Sequence, residues 1–535
     1  MSEQVKVTIV CKAEGISYEL RHDTGNTLLK TMREGAVVLP SLCSGLGKCG
    51  RCIVKFQSYA PLPTRTERLL IGPEKLRTGY RLACMARPKR ECTVEADFLR
   101  DKAEEEQSLR VLTGYYAADQ ERKPEERADL IQSETERPDG ASGKRKGRTF
   151  TAADIGTTTI AMQLLETGSG RILDTFTCLN PQRSYGMDVI SRIKAADEGQ
   201  GDILKMLVRD VLAAGWERLK KSAEKQGVCE PEFLSIACNT VMGHIFMGYP
   251  TGTLGKNPFL PVNIKTAAVE WDGIRAVLAP GISAFVGGDI LAGLYACGLC
   301  GPYSLTDTGK IAGDRKGNAM EEEAVWLFMD LGTNAEMVMG TGSRAAATAA
   351  AAGSAFEGRG KDGTAGSERL RAVAYLLEKG IVDETGLLAE PYFETGIAVE
   401  AGEGSGSVFI TQEDIRDIQM AKAAVRSGIH FLMEKMNLQD YGRIKKVYMA
   451  GGMGFYLDKW SAVRTGLLPA ELGERIETVG NAALAGAALF GRKGWEESGR
   501  EMEVFANGVN AFHMAELAEF EEVYVGYMNF DCKIL

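Results

Sequence analysis

The sequence predicts a multidomain α/β protein: a small β-grasp unit first, then a charged linker, then a large domain built from two similar subdomains. Three observations carry that prediction. A strand–strand–helix pattern at the start runs into a loop crowded with cysteine and glycine. A dense run of mixed charges follows. Beyond it, one short strand–turn–strand motif occurs twice, at Asp154 and again at Asp330. At 535 residues the chain is also too long for a single hydrophobic core.

The N-terminal unit is read as residues 1–98. Val5, Val7 and Ile9 alternate with polar residues, the pattern of a half-buried strand. Ser17 to Arg21 gives a second strand, Thr27 to Glu34 a short helix, and Ile53 to Gln57 a strand beyond the cysteine loop. Residues 99–148 mix Glu, Asp, Lys and Arg and end in a Pro/Gly/Ser-rich stretch, the composition of a solvated linker. A helix near residues 101–113 fits its beginning. Residues 149–535 read as strand, glycine turn and helix in succession. Ala152 to Thr158 is echoed by Phe328 to Asn334, and each is followed by a further strand-like run, Ile160 to Leu165 and Ala335 to Met339. The alanine-rich stretch Ala345 to Ala352 is predicted helical on propensity.

Composition narrows the function classes. Hydrophobic residues make up 44% and charged residues 25%, an ordinary soluble balance. A net charge of −9 lacks the basic footprint that nucleic-acid phosphates or anionic lipids require. A protein or small-molecule partner is expected, with no nucleic acid and no membrane. The first ten residues carry no apolar signal region. The most apolar stretch, Val277 to Cys300, is interrupted by Asp289 and glycines and reads as buried core. A cytoplasmic, reducing location is therefore expected, and the 12 cysteines need an explanation other than disulfides.

Four of them have one. Cys43, Cys49 and Cys52 stand at C-x5-C-x2-C spacing, and Cys84 follows at a distance. Thiolates are the preferred ligands of iron–sulfur clusters, and four suffice for a [2Fe–2S] unit. Gly45, Gly47 and Gly50 let the loop wrap closely, so that backbone N–H groups reach the sulfurs. A distant fourth ligand favours [2Fe–2S] over a compact [4Fe–4S] run. Structural zinc is the alternative, but zinc sites usually pair two C-x2-C knuckles. The remaining cysteines, including Cys297 and Cys300 in a C-x2-C, read as small buried hydrophobes. This part of the chain resembles plant and adrenodoxin-type ferredoxins.

The large domain carries three nucleotide-type motifs. In Asp154-Ile155-Gly156-Thr157-Thr158, Gly156 permits a tight hairpin turn, while the N–H groups and hydroxyls of Thr157 and Thr158 suit phosphate oxygens. Asp154 suits a hydrated Mg²⁺. Asp330, Gly332, Thr333 and Asn334 repeat the pattern. Gly451, Gly452 and Gly454, after a strand-like run, would let a base or ribose lie on bare backbone. Together these resemble the phosphate-1, phosphate-2 and adenosine loops of the actin, sugar-kinase and Hsp70 superfamily. That resemblance implies ATP and Mg²⁺ as cofactors, with Asp154 and Asp330 in catalytic positions.

Further stretches resemble the reductive activators of corrinoid-dependent proteins: Asn180-Pro181-Gln182, Tyr185-Gly186 with Asp188 to Ile193, Cys238 to His244, Val286 to Ile290, and Gly480 to Ala487. The chain departs from that family at Ser354, where proline is usual, and has only the linker where longer relatives carry an extra module. The resemblance implies ATP-dependent reduction of inactive cob(II)alamin to cob(I)alamin on a corrinoid methyl-carrier protein. It also implies a low-potential electron donor, and a homodimer is possible. Other readings of the same residues are an activator of radical dehydratases, a small-molecule kinase with an appended ferredoxin, and an electron carrier indifferent to ATP.

Overall fold

The computed structural model describes residues 4–11, 16–35, 37, 39, 47, 52–96, 147–186, 188–300, 324–332, 334–353, 366–400 and 407–530. Cys43, Cys49, Thr333, Ser354 and nearly all of the linker, with its possible helix, lie outside them.

The N-terminal unit is a five-stranded sheet in the order β2-β1-β5-β3-β4. Strands β1 (Gln4–Cys11) and β2 (Ile16–Asp23) form a hairpin, and β5 (Cys92–Glu95) joins β1 in parallel. Strand β3 (Ile53–Phe56) runs antiparallel to both β5 and β4 (Tyr80–Leu82). The helix Leu28–Glu34 lies over this sheet, burying Leu28, Leu29 and Met32 against Val7, Ile9, Val54, Leu82 and Val94. This is the expected β-grasp arrangement.

The large domain contains two six-stranded sheets with one shared plan. In the first, β6 (Thr149–Ile155), β7 (Thr159–Glu166) and β8 (Ile172–Leu179) form an antiparallel meander. Strands β9 (Pro231–Cys238) and β11 (Ile274–Leu278) extend it in parallel, with β10 (Ala267–Trp271) at the edge. In the second, β12 (Val325–Leu331), β13 (Ala335–Gly340) and β14 (Ala345–Ala350) form the meander. Strands β17 (Ile444–Ala450) and β18 (Ile476–Gly480) extend it in parallel, and β19 (Val509–Ala511) closes the far edge. A small hairpin, β15 (Ile397–Glu400) with β16 (Ser407–Ile410), stands apart. The echo between Asp154 and Asp330 is thus a repeat of whole sheets.

One expectation fails here. Ala345 to Ala350 forms strand β14, not a helix. Its alanines are almost all buried and paired with β13 on one side and β19 on the other. Small side chains fit where both faces of a sheet are covered, and that packing overrides helix propensity.

The sheets face each other across a shared core. On β6, Phe150 and Ala152 point into it; on β12, Trp326 and Phe328 do. Two helices fill the middle. Gly288–Ala296, which follows β11, presses Gly293 against Phe328 of the second sheet. Ala482–Arg492, which follows β18, presses Gly491 against Phe150 of the first. Each half thus lends a helix to the other's sheet. The two helices cross where Gly486 meets the Ala292 backbone, and a Cβ there would collide with main-chain atoms. Gly486→Ala is expected to destabilise the domain by about 1–3 kcal/mol, read as a lower melting temperature.

Candidate functional site

Strand alternation decides where the acidic groups point. A strand turns every second residue to the same face, so Asp154 follows Phe150 and Ala152 inward, and Asp330 follows Trp326 and Phe328. Glu336 shares its face of β13 with Val338 and sits opposite Asp330 in the ladder. Asp289 stands in the first turn of the middle helix Gly288–Ala296. Four carboxylates from both halves therefore converge, each partly exposed.

Their mutual electrostatics show the convergence. The Asp154 carboxyl is pushed up to about 7, mainly by the surrounding protein and further by Asp289, against a hydrogen bond from Asn481. Asp330 is pushed up to about 7 by burial, then by Asp289 and Asp154. Asp289 rises to about 6 through burial, held back by hydrogen bonds from backbone N–H groups. Glu336 is raised furthest, by burial and then by Asp289 and Asp330. Crowded carboxylates of this kind favour either protons or a cation.

The first phosphate-type loop is braced from behind. Gly156 turns so tightly that a Cβ would meet the Thr159 carbonyl oxygen. Asn180 donates to the Gly156 carbonyl at 2.8 Å, and the Asn180 N–H donates to Thr158 O at 2.9 Å. The Arg192 guanidinium, fully buried, donates to the carbonyls of Thr157 and Gly186 and to Gln182 Oε1. Burial and Arg183 lower Arg192 to about 9. Its hydrogen bonds go to neutral acceptors, not to a paired carboxylate. Asn180 also caps the 3₁₀ turn Pro181–Ser184, so its capping role and its hold on the loop coexist. Asn180→Ala is expected to cost about 1–3 kcal/mol and to weaken ATP binding with cluster absorbance unchanged, as titration calorimetry would show.

The second loop closes with the Gly332 N–H on Asn334 O at 2.8 Å. Asn481 caps the helix Ala482–Arg492 and donates to Asp154 Oδ2 at 2.9 Å, tying the second half to the first. Of the three later glycines, Gly451 has φ 82° and packs against Asp330 and the Leu331 carbonyl. Gly452 is exposed with open space over it. Gly454 is buried against Met449, so its missing side chain serves packing, not an open face as expected.

Among the described residues no three His, Cys, Asp or Glu side chains stand close enough to grip a bare ion. The acidic site suits a hydrated Mg²⁺, held through its waters.

In the N-terminal unit, Cys52 and Cys84 are 1% and 4% exposed, so both are shielded from solvent. They lie at the ends of paired strands, and the Ala83 N–H donates to Cys52 O at 2.8 Å. Gly47, with φ 75°, lies against Met85, the neighbour of Cys84. Cys52 and Cys84 thus flank one hydrogen-bonded pair of strand ends, with Gly47 close to the neighbour of Cys84. Cys92, by contrast, lies in β5, and burial pushes its thiol up to about 11. No helix among the described residues is long and apolar enough to cross a membrane.

Sequence reasoning placed Asp154 and Asp330 but gave no role to Glu336. Its signal was available: one charge in the apolar alternation Ala335 to Met339.

Comparisons with known proteins agree with this geometry. Residues 11–89 match the 2Fe-2S iron-sulfur cluster binding domain. Residues 150–301 match the RACo middle region, and 324–367 with 360–533 match the C-terminal domain of RACo, the ASKHA domain. The corrinoid activation enzyme RamQ of Eubacterium limosum is 28% identical over 404 residues, 63% of each chain. The chain thus spans less than two thirds of that relative's length. One component of the Na(+)-translocating NADH-quinone reductase of Chlamydia caviae is 31% identical over 75 residues, 14% of this chain and 17% of its own. The solved structure of a reductive activator for a corrinoid, iron-sulfur protein shares the fold at TM-score 0.59 and 23% identity, covering 98% of both chains. The two RACo models together match about two thirds of the sequence, and the chain belongs to the RACo family, joining a ferredoxin-type [2Fe–2S] domain to an ATP-binding domain of the ASKHA fold.

Proposed function

We propose that this protein is an ATP-dependent activating enzyme that reduces the inactive cob(II)alamin of a corrinoid methyl-carrier protein to cob(I)alamin. The observation that carries the proposal is the joining of two sites in one chain. One is a cysteine site fit for a one-electron carrier; the other is an acid-lined nucleotide site shared by two halves. The relatives named for corrinoid activation support it.

When bound, the [2Fe–2S] cluster supplies a one-electron relay, and Mg²⁺ neutralises nucleotide phosphate charge. The protein's own residues do the rest. Cys43, Cys49, Cys52 and Cys84 would hold the cluster. The loop at Gly156, Thr157 and Thr158 presents N–H and hydroxyl donors to phosphate, kept in shape by Asn180 and Arg192. Gly332, Thr333 and Asn334 do the same from the other half. Asp154 and Asp330 would hold the hydrated metal, and one of them would orient the attacking water. Gly452 leaves room for the nucleoside. Hydrolysis then rests on positioning and charge stabilisation.

The coupling has a physical purpose. Plant-type clusters sit at about −400 mV, and each ~59 mV uphill costs a one-electron transfer a factor of ten. ATP offsets that deficit only if nucleotide and corrinoid partner favour the same conformation. The crossed helices Gly288–Ala296 and Ala482–Arg492 link the two sheets and suit such a change. Residues 1–98, 99–148 and 149–535 then act as electron module, tether and motor, in a cytoplasmic setting.

The test is anaerobic. The protein, a reductant for its cluster and cob(II)alamin-loaded carriers are followed by visible absorbance with and without Mg·ATP. Cob(I)alamin appearing only with ATP supports the proposal. A reduced cluster and active ATP hydrolysis with no cob(I)alamin on any carrier would falsify it and favour the kinase reading. Equal formation without ATP leaves a plain electron carrier.

A further inference from the structure

The chain is acidic as a whole, with a net charge of −9, yet one stretch of the N-terminal unit has the opposite sign. Between Glu34 and Glu67 the sequence has no carboxylate at all. Across residues 61–90 the exposed charges are seven basic and one acidic. The other acid in that span, Glu67, is buried and engaged internally. Its Oε1 accepts from the Leu82 N–H at 2.8 Å and its Oε2 from the Thr64 N–H at 2.7 Å.

This basic surface adjoins the cysteine site. The helix Arg65–Leu70 exposes Arg65 and Arg68, while Thr66 between them packs near Gly47 of the cluster loop. Arg87 and Lys89 are exposed just beyond Cys84. Bare apolar groups stand on and just before that helix: Leu62 is 91% exposed and Leu69 is 80% exposed. Isolated exposed leucines need no explanation, but Leu69 stands one residue from Arg68 and four from Arg65 on the same short helix, so apolar and basic groups share one surface there.

We infer that this face is the docking surface for the protein's electron donor, and that the donor is a small acidic electron-carrier protein. Charge of one sign steers an oppositely charged partner to the patch, and the leucines supply the short-range contact. One electron then passes from the reduced carrier to the oxidised cluster; the carrier loses it and the cluster gains it, with no bond made or broken. The inference rests on the cluster half of the proposed function and not on the identity of the final acceptor.

The test uses the full-length, cluster-loaded protein under anaerobic conditions, with reduced flavodoxin as the acidic probe and bleaching of the cluster absorbance as the readout. The wild-type rate is expected to fall steeply as ionic strength rises. The double substitution R65E/R68E is expected to lower the rate and the flavodoxin affinity about tenfold. Reduction by dithionite should be unchanged in the variant. A wild-type rate that is flat or rising with salt overturns the inference without any variant. So does a variant that keeps its flavodoxin rate, or one that keeps it while losing affinity for a corrinoid carrier, which would assign the face to the acceptor. If dithionite fails to bleach the wild type, the cluster reading falls and this inference falls with it. Loss of cob(I)alamin formation alone bears on the acceptor half.

Discussion

Cys84→Ser is expected to remove the visible absorbance of the [2Fe–2S] cluster and all electron transfer, while ATP hydrolysis continues at the wild-type rate. The thiol is 4% exposed and lies one residue from the Ala83–Cys52 hydrogen bond. A serine hydroxyl there is not the soft thiolate that such clusters select. Cys92 provides the control within the same small domain. It is also buried, but within the paired strand β5. Cys92→Ala should keep the absorbance at some cost in thermal stability. Equal absorbance in Cys84→Ser and wild type would remove Cys84 from the ligand set. Loss of the cluster in both variants would point to general unfolding of the domain.

Asp154→Asn is expected to lower ATP hydrolysis about 10²–10³-fold and yet to stabilise the nucleotide-free protein at pH 8. Asp154 and Asp330 are both pushed up to about 7, against about 3.9 for an unperturbed aspartate. The folded protein therefore holds these protons more tightly than the unfolded chain does. Stability then falls as pH rises from about 4 towards 7 and levels off above it. Between pH 6 and pH 8 each such group costs about 1 kcal/mol, and asparagine removes one of them. Mg·ATP requires the charged forms, so its binding should strengthen from pH 6 to pH 8 and release protons. Melting curves at the two pH values, and calorimetry in buffers of different ionisation heat, test both halves. A variant less stable than wild type at pH 8 would mean that the Asn481 hydrogen bond outweighs the repulsion.

Both expectations depend on how much of the molecule the sequence discloses. The local pattern disclosed three of the β-grasp strands, the helix over Leu28–Glu34 and the hairpins at Asp154 and Asp330, because each is written in neighbouring residues. What depends on distant partners was hidden. Strand β14 reads as a helix until both its neighbours are known. Gly454 reads as an open face until Met449 lies against it. Glu336 reads as a lone charge until the ladder sets it opposite Asp330. The brace of Asn180 and Arg192 reads as a cap and an ordinary cation until both reach the same loop.

That brace has a consequence for selectivity. Arg192 is a buried cation braced against the loop proposed to receive phosphate, while four carboxylates crowd together in the same domain. A triphosphate without metal would be drawn to the first and repelled by the second. A bare divalent cation would meet the reverse. Only a ligand carrying both charges in the right order, anion outward to the loop and cation towards the acids, satisfies both walls at once. On the proposed function the site would act as a two-key lock, and neither magnesium nor nucleotide alone should draw the two sheets together.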